Sequence, residues 1–326
     1  MHKRERLERA CSGEAPDRPP VALWRHWPGD DQRAADLAAS VLAFQQTYDW
    51  DFVNIVPSST AFVVDYGVQD QWDGALDGTR TILKRPVERS LDWTSLRTLD
   101  PLRGSMGRLQ ECLHLVIDAL GDQTPIILTM PSPLTQAEQL TGRERLIKDM
   151  RIHPDRLHSG LSILTESLLR LIDAMRRTPI AGIYYDIQHA SYAALSEEEY
   201  RTFGLLYDRR VLDSIPERWW LNVSHLRGNL PMMKFAGEFK TQVINWRAVE
   251  TEPELAQGRT LFDGAVCGGL ATWEHLHQGT PSIVRDAARL AMEKTGNRRF
   301  ILGAGCSMLI GTPLSNIRAA RKVVED

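Results

Sequence analysis

The stretch Pro125-Ile-Ile-Leu-Thr-Met130 is an almost fully apolar run, and segments with helical periodicity follow it at 142–150 and 154–177. A second apolar run, Gly182-Ile-Tyr-Tyr185, comes directly after these segments. Strands that are covered on both faces read as continuous apolar runs, and parallel strands need a long crossover that is usually a helix. This stretch therefore predicts one strand–helix–strand unit of a parallel sheet.

The same order of apolar run and helical segment extends over the rest of the chain. Eight such runs occur, at Pro20 to Arg25, Phe52 to Val56, Pro125 to Met130, Gly182 to Tyr185, Trp219 to Val223, Thr241 to Asn245, Leu261 to Val266 and Phe300 to Leu302. Eight repeats can close into a barrel, whereas the competing open sheet of the nucleotide-binding kind needs a GxGxxG or GxxxxGK[ST] loop, which follows none of these runs. We therefore predict an α/β fold, a (β/α)8 TIM barrel.

The domain organisation follows from length and from one departure in the pattern. Barrels of this type reach 326 residues as one unit, so we predict a single TIM-barrel domain over 1–326 with an N-terminal helical extension. Residues 62–106 carry weak patterning and many turn signals, such as Trp72-Asp-Gly74. We expect an excursion at about 62–106 that contains a small hairpin and walls one side of the site.

Composition excludes several classes of protein. The net charge is −3 and no Lys/Arg stripe is interleaved with aromatic residues, which argues against a nucleic-acid partner. The sequence has no apolar stretch long enough to cross a bilayer and no signal peptide, so we expect a cytoplasmic protein without a membrane partner. The four cysteines are too dispersed for a secreted disulfide framework and are expected to be thiols.

Polar residues gather at the predicted C-terminal ends of the strands. In a barrel these ends share one rim, where catalytic groups are found, so the residues there can be collected without an alignment. They are Arg25, His26, Asp186, Gln188, His189, His225, Arg227, Asn245, Arg247, Cys267 and Cys306.

One chemical use of this set is a metal site. His225 and Cys306 offer the nitrogen and thiolate ligands that Zn²⁺ takes, with Cys267, His189 or Asp186 as further candidates. A zinc ion with an open coordination position would activate a thiol or polarise an oxygen.

A second use is the binding of an anion. Arg25, His26 and Arg247 predict a cationic collar, because a guanidinium pairs bidentately with a carboxylate. Such a collar would serve a small acidic substrate.

Several motifs resemble one known family. Phe300-Ile-Leu-Gly-Ala-Gly-Cys306 with Gly311-Thr-Pro313 resembles the closing signature of the uroporphyrinogen decarboxylase superfamily. Tyr185-Asp-Ile-Gln-His-Ala-Ser191, His225-Leu-Arg-Gly-Asn229 and Cys267-Gly-Gly-Leu270 are similar to successive landmarks of that family, in the same order. The resemblance covers about 15 to 325 and implies a uroporphyrinogen decarboxylase-like barrel.

The resemblance implies one of two activities. The superfamily contains cofactor-free decarboxylases of uroporphyrinogen and zinc-dependent methyltransferases that work with corrinoid proteins. The decarboxylases have His where this chain has Cys306, and Cys there resembles the methyltransferase version. The methyltransferase metal motif is His-x-Cys with a distant Cys. In this chain the corresponding segment is His225-Leu-Arg227, so Arg227 stands where the second of the three ligands is expected, and Arg has no lone pair for a metal.

Our leading hypothesis is a zinc-assisted methyl or one-carbon transferase of this family that is linked to a corrinoid and takes a small anionic molecule. The predicted metal ligands are His225, Cys306 and Cys267. The predicted catalytic residues are His225, His189 and Asp186. The predicted substrate-binding residues are Arg25, His26, Arg227, Asn245 and Arg247.

Two alternatives stay open at this point. One is a cofactor-free decarboxylase of uroporphyrinogen or another acidic substrate, in which His189 or His225 supplies a proton. The other is a non-catalytic protein that binds a tetrapyrrole or corrinoid, which Arg227 at a ligand position favours. The resemblance also allows a homodimer, for which the sequence carries no signal of its own.

Overall fold

The computed structural model describes residues 1–325 of the chain. The strands are β1 Val53–Ile55, β2 Gln69–Gln71, β3 Thr81–Lys84, β4 Ile126–Pro131, β5 Gly182–Ile187, β6 Val223–Leu226, β7 Val243–Trp246, β8 Ala265–Leu270 and β9 Phe300–Ala304. The α-helices are α1 Lys3–Ser12, α2 Ala34–Tyr48, α3 Gly104–Leu120, α4 Pro133–Thr141, α5 Arg143–Ile152, α6 Pro154–Ala174, α7 Glu197–Tyr200, α8 Leu206–Leu212, α9 Leu255–Thr260, α10 Pro281–Thr295 and α11 Leu314–Lys322.

Seven strands form one parallel sheet in the order β1-β4-β5-β6-β7-β8-β9. Its two outer strands are joined by the segment at 20–22. There Val21 forms a parallel bridge with Leu302 of β9, and the Val21 carbonyl accepts a hydrogen bond of 3.0 Å from the backbone N–H of Asp51, just before β1. The predicted α/β TIM-barrel architecture is therefore confirmed, with one correction. The predicted strand Pro20 to Arg25 contributes a single bridge rather than a regular strand.

Two strands begin about four residues later than the apolar runs in the sequence predict. The fifth predicted strand, Trp219 to Val223, is observed at Val223–Leu226, and the seventh, Leu261 to Val266, at Ala265–Leu270. The prediction placed each strand where apolar residues are most frequent. Strand side chains, however, alternate between the helical layer and the barrel interior, and the interior near the rim accepts polar groups, so the polar residues that follow the apolar run can belong to the strand. His225 and Cys267 consequently lie within strands, not after them.

Helices begin at side-chain caps that the sequence displays. The Ser132 hydroxyl accepts a hydrogen bond from the Thr135 backbone N–H at the start of α4, and Thr280 caps α10 in the same way. Both helices have Pro at their first position, where a missing N–H costs nothing. α10 ends at Gly296 in the left-handed region, with φ 60°. The two helices lie in the crossovers from β4 to β5 and from β8 to β9.

Residues 62–106 leave the repeat of strand and helix and contain an antiparallel hairpin formed by β2 and β3. Arg80 joins the two strands, because its Nε lies 2.6 Å from Asp70 Oδ1, and Thr60 also hydrogen-bonds to Asp70. The Arg80 backbone N–H donates to the Ser59 hydroxyl over 2.9 Å. The hairpin is therefore attached to the loop that follows β1, at the C-terminal ends of the strands.

The opposite end of the barrel holds a cluster of charged residues, Arg6, Asp17, Arg18 and Asp51, which we call the basal ion cluster. Asp51 is fully buried and lies 2.7 Å from both Arg6 Nη1 and Arg18 Nη1. Its Oδ2 also accepts from the Val21 backbone N–H over 2.7 Å, and Arg6 Nε lies 2.7 Å from Asp17 Oδ1. The cluster ties α1 to the N-terminal ends of the strands.

None of the helices in residues 1–325 combines the length and the apolar character that crossing a bilayer requires.

Candidate active site

A cavity of about 210 Å³ opens at the C-terminal ends of the strands. It is walled by the loop after β1, by the hairpin, by β5 and β6, and by the loop after β9. Its polar lining consists of His26, Ser58, Ser59, Thr60, Thr79, Arg80, Thr129, Gln139, Tyr184, Asp186, Gln188, His225, Arg227, Cys306 and Ser307. The position matches that of active sites in barrels of this type.

Asp186 and His225 are neighbours in register on β5 and β6. His225 Nε2 lies 3.9 Å from Asp186 Oδ1, and Arg227 Nη1 lies 3.9 Å from Asp186 Oδ2. Both distances exceed that of a hydrogen bond. Gln188 Nε2 donates a hydrogen bond to Asp186 Oδ2 over 2.8 Å. The other oxygen, Oδ1, is buried and accepts no hydrogen bond from residues 1–325. The carboxylate therefore keeps one oxygen free.

His225 is only 1% exposed, yet neither of its ring nitrogens has a regular hydrogen-bond partner within the described chain. The ring of Tyr184 stacks on it, with centroids 5.3 Å apart. Buried polar atoms are nearly always paired with protein or water, so unpaired atoms on a cavity wall indicate a place for a ligand. His225 thus presents an imidazole with hydrogen-bonding capacity to spare.

Cys306 reaches the cavity because Gly305 precedes it in the loop after β9. A Cβ at Gly305 would lie 2.7 Å from the Cα of Arg247, so only glycine allows the chain to pass the end of β7 this closely. Burial raises the pKa of the Cys306 thiol, but contact with His225 and the positive charge of Arg227 lower it by more. The net result is a thiol pKa of about 7, below its ordinary value. A substantial fraction of Cys306 is therefore a thiolate at neutral pH.

Arg227 and His26 are further basic residues that line the cavity beside Asp186 and His225. Cys306 raises the pKa of Arg227 more than burial lowers it, and Asp186 adds to the increase, so this guanidinium stays cationic. Burial, and then the charge of Arg227, lower the pKa of His26 to about 4. His26 Nδ1 lies 3.1 Å from the Pro57 carbonyl oxygen. His26 is consequently neutral at pH 7 and adds no charge.

Arg25 and Arg247, which were predicted to bind substrate, do not line the cavity. Arg25 Nη1 donates to the Ile310 carbonyl over 2.9 Å, and its guanidinium lies over the Trp27 ring, 4.6 Å from the centroid. Arg247 Nη1 lies 3.3 Å from Glu250 Oε2. Neither side chain lines the cavity and both have partners elsewhere, so the structure does not assemble the predicted cationic collar.

Asn245 and Cys267 lie below the cavity. They continue the register row of His225 across β7 and β8, but barrel strands tilt against the axis, so the row descends into the interior. Asn245 Oδ1 accepts from the Tyr184 hydroxyl over 2.8 Å, and its Nδ2 donates to the Cys267 carbonyl over 2.8 Å. Cys267 is 1% exposed, and burial raises the pKa of its thiol to about 12. Both residues belong to the core layer beneath the site.

His189 also faces away from the cavity. It is 4% exposed, and its Nε2 lies 2.8 Å from Glu138 Oε2 on α4. Of the three residues predicted as catalytic, the structure therefore brings His225 and Asp186 together and leaves His189 outside.

The residues at the site do not fit a three-ligand zinc centre. His225 and Cys306 meet at the cavity, but Cys267 lies in the layer below, and Arg227 has no lone pair to offer. Residues 1–325 hold no cluster of three His, Cys, Asp or Glu side chains placed to bind a metal ion. The predicted metal set of His225, Cys306 and Cys267 is thus not assembled.

The hairpin contributes residues that reasoning from the sequence missed. Thr79, Arg80 and Ile82 line the cavity, as does Tyr184. The signal for Tyr184 was available, because strand side chains alternate and Tyr184 stands two residues before Asp186 on the same face. The sequence analysis expected the excursion to wall one side of the site, but it did not identify which residues of the hairpin reach the cavity.

The family model described as Uroporphyrinogen decarboxylase (URO-D) matches residues 72–326. The chain belongs to the uroporphyrinogen decarboxylase family. The resemblance found in the closing motif is therefore confirmed, and with it the prediction that the chain is an enzyme of this family.

Relatives within the uroporphyrinogen decarboxylase family carry two different activities. The methylcobamide:CoM methyltransferase MtbA of Methanosarcina acetivorans is 22% identical over 340 residues, which cover 99% of this chain and 96% of that protein. The uroporphyrinogen decarboxylase of Crocosphaera subtropica is 23% identical over 345 residues, covering 96% of this chain and 93% of that protein.

A solved structure supports the fold. A methyltransferase from Methanosarcina mazei superposes with a TM-score of 0.88 at 20% identity, covering 100% of this chain and 98% of that one. Because the match spans both chains, it includes the segments that close the barrel.

Proposed function

We propose that this chain transfers a methyl or other one-carbon group between a corrinoid and a small acceptor. The observation that carries the proposal is Cys306, a thiol with a pKa of about 7 at the rim position where decarboxylases of the family carry His. Relatives named as methylcobamide:CoM methyltransferases align over almost the whole chain and support the same interpretation.

The size of the cavity favours a small acceptor. Its volume of about 210 Å³ lies below the roughly 300–1,000 Å³ typical of sites for drug-sized ligands, and a tetrapyrrole is larger than such ligands. A corrinoid would therefore meet the rim from outside while the acceptor fills the cavity. Arg227 would hold an anionic group of the acceptor, and the free Oδ1 of Asp186 and the imidazole of His225 would orient a donor or take a proton.

The geometry favours transfer over decarboxylation. A decarboxylase of a polyacidic substrate needs several cations that converge on the carboxylates, and Arg25 and Arg247 turn away from the cavity. No zinc ion enters the proposed chemistry, because the described side chains do not supply a third ligand.

The test is the loss of methyl from methylcobalamin in the presence of a small thiol, followed by the change in the cobalamin absorption spectrum. We expect Cys306→Ala to lower the rate by about 100-fold or more, in the range found when a nucleophile or its activating group is removed. Cys11→Ser is the matched control, since Cys11 lies on α1 at the opposite end of the barrel, and it should leave the rate unchanged.

Turnover of uroporphyrinogen by the same preparation, without any demethylation of methylcobalamin, would overturn the proposal in favour of decarboxylation.

A further inference from the structure

The sulfur of Cys306 lies in the cavity beside a fixed cation. Cys306 and Arg227 both line the cavity, and Cys306 is the largest influence on the pKa of Arg227. Other anionic neighbours of Arg227 are Asp186, at 3.9 Å, and Asp77 of the hairpin. The guanidinium therefore lies among negative groups that include the thiolate, and it offsets part of their charge.

His225 provides an independent sign of a ligand at the same place. Its side chain is 2% exposed, it lines the cavity, and its two ring nitrogens have no regular hydrogen-bond partner in residues 1–325. The buried His189, which does not line the cavity, has one of its two ring nitrogens paired, since its Nε2 lies 2.8 Å from Glu138 Oε2. The wall next to Cys306 is therefore built to receive a polar group from outside the chain.

The position of Arg227 changes what Cys306 can do. A metal ion bound to a thiolate occupies one of the sulfur lone pairs, whereas a guanidinium stabilises the negative charge through space and through N–H groups. A thiolate next to Arg227 consequently keeps its nucleophilic electron pair free.

We propose that Cys306 is a metal-independent nucleophile that accepts an alkyl group on its sulfur, with Arg227 as the positioning cation. For the identity of the donor this rests on the proposed function. With a methyl-corrinoid, the thiolate attacks the methyl carbon, an S–C bond forms, and the Co–C bond breaks. The electron pair of that bond stays on cobalt, which goes from Co(III) to Co(I), while the thiolate becomes a neutral thioether.

The nucleophile can be tested apart from the corrinoid by using methyl iodide as the donor. In this reaction iodide leaves as the S–C bond forms. We expect Cys306 of the intact protein to be methylated at pH 7, with and without EDTA, faster than Cys11, whose thiol pKa is raised to about 12 by burial. Peptide mass spectrometry after short exposures measures both sites in one sample. A rate at Cys306 that is no faster than at Cys11 would overturn the inference.

Arg227 is tested with a matched pair of variants. Arg227→Met should lower the rate of Cys306 methylation at pH 7 by about 5- to 10-fold and move its pH profile to higher pH. The reason is that an increase of about one unit in the thiol pKa leaves only about a tenth of Cys306 as thiolate at pH 7. Arg227→Lys keeps the charge and should recover part of the rate. Equal rates and equal pH profiles in both variants and the wild-type protein would contradict a role for the cation.

Zinc alone is the probe for the competing arrangement. Protein incubated with Zn²⁺ and then desalted should retain no stoichiometric zinc that Cys306→Ser removes. If it does retain such zinc, and if EDTA restores methylation that zinc had blocked, Cys306 is a metal ligand and the inference fails.

Methylcobalamin separates the two proposals. If methyl leaves cobalamin for an added thiol while Cys306 stays unmethylated, the proposed function stands and the inference is wrong. If methyl iodide modifies Cys306 in the predicted manner but methylcobalamin is inert, the nucleophile stands and the proposed function is wrong.

Discussion

The two ends of the barrel both bury charged side chains, but they satisfy them differently. In the basal ion cluster, Asp51 accepts close hydrogen bonds from two guanidinium groups and one backbone N–H, at distances down to 2.7 Å. At the cavity, Asp186 lies 3.9 Å from both His225 and Arg227, and several polar atoms have no partner among the described residues.

This difference distinguishes a structural cluster from a site. A fully paired set of buried charges holds elements together and has no capacity left for a ligand. A loosely spaced set of opposite charges beside a cavity costs stability and is retained where it serves binding or chemistry. Asp51 is fully buried and the Asp186 side chain is 14% exposed, so both ends enclose a carboxylate, but only the basal ion cluster pairs it closely with cations.

The largest effect that would test this contrast is expected in the basal ion cluster. Asp51→Ala leaves Arg6 and Arg18 without their shared buried partner, so the free energy of unfolding should fall by about 3–5 kcal/mol in urea titrations. Asp173→Ala is the control, since Asp173 pairs with Arg176 at the surface, and such a pair contributes about 1 kcal/mol or less. Similar losses in both variants would mean that the cluster is not structural.

A third buried carboxyl separates burial from pairing with a cation. Asp208 is 1% exposed and accepts hydrogen bonds from the hydroxyls of Tyr185 and Tyr200, and burial raises its pKa to about 7. Between about pH 4 and 7 the native state keeps a proton that the unfolded chain releases. The free energy of unfolding should therefore fall as pH rises through this window, by on the order of 4 kcal/mol from this group.

Asp208→Asn removes that contribution. The difference in unfolding free energy between wild type and variant should change with pH across this window, measured by urea titrations at several pH values. A difference that is constant with pH would show that Asp208 is ionised in the native state.

The smallest change in stability is expected at the cavity. Asp186→Asn should alter the free energy of unfolding by less than about 1 kcal/mol, because the carboxylate makes few close contacts within the described chain. Methyl transfer from methylcobalamin should nevertheless fall by about 10-fold or more, since Asp186 lines the cavity with one carboxylate oxygen unpaired. Loss of stability comparable to that of Asp51→Ala would remove the distinction between the two ends of the barrel.

Much of the fold was predictable because strands and helices leave local signals. The apolar runs that begin at Pro125 and Gly182 correspond to β4 and β5. The start of α4 is marked in the sequence by Ser132 followed by Pro133. The strands that begin at Val223 and Ala265 were predicted to begin earlier in the chain. The residue types alone do not show which apolar residues belong to a strand and which belong to the turn before it. Those shifts of about four residues changed the expected depth of Cys267.

The site was predictable in part for a related reason. His225, Asp186, His26, Arg227 and Cys306 follow from their positions at strand ends. The position of the Arg25 side chain does not, because it depends on the Ile310 carbonyl, which lies far along the chain. Arg247 pairs with Glu250, three residues further on, and the sequence does not show whether that carboxylate or a ligand is its partner.

The sequence by itself determined that the chain forms alternating strands and helices, that it resembles the uroporphyrinogen decarboxylase family, and that a cysteine stands in the closing motif. Those features are local, set by side-chain type and by spacing of a few residues. Tertiary structure alone decided that Cys267 lies below the cavity and that Arg25 and Arg247 do not line it. Depth inside a barrel depends on strand tilt and register across several strands, and no single segment of sequence carries that information.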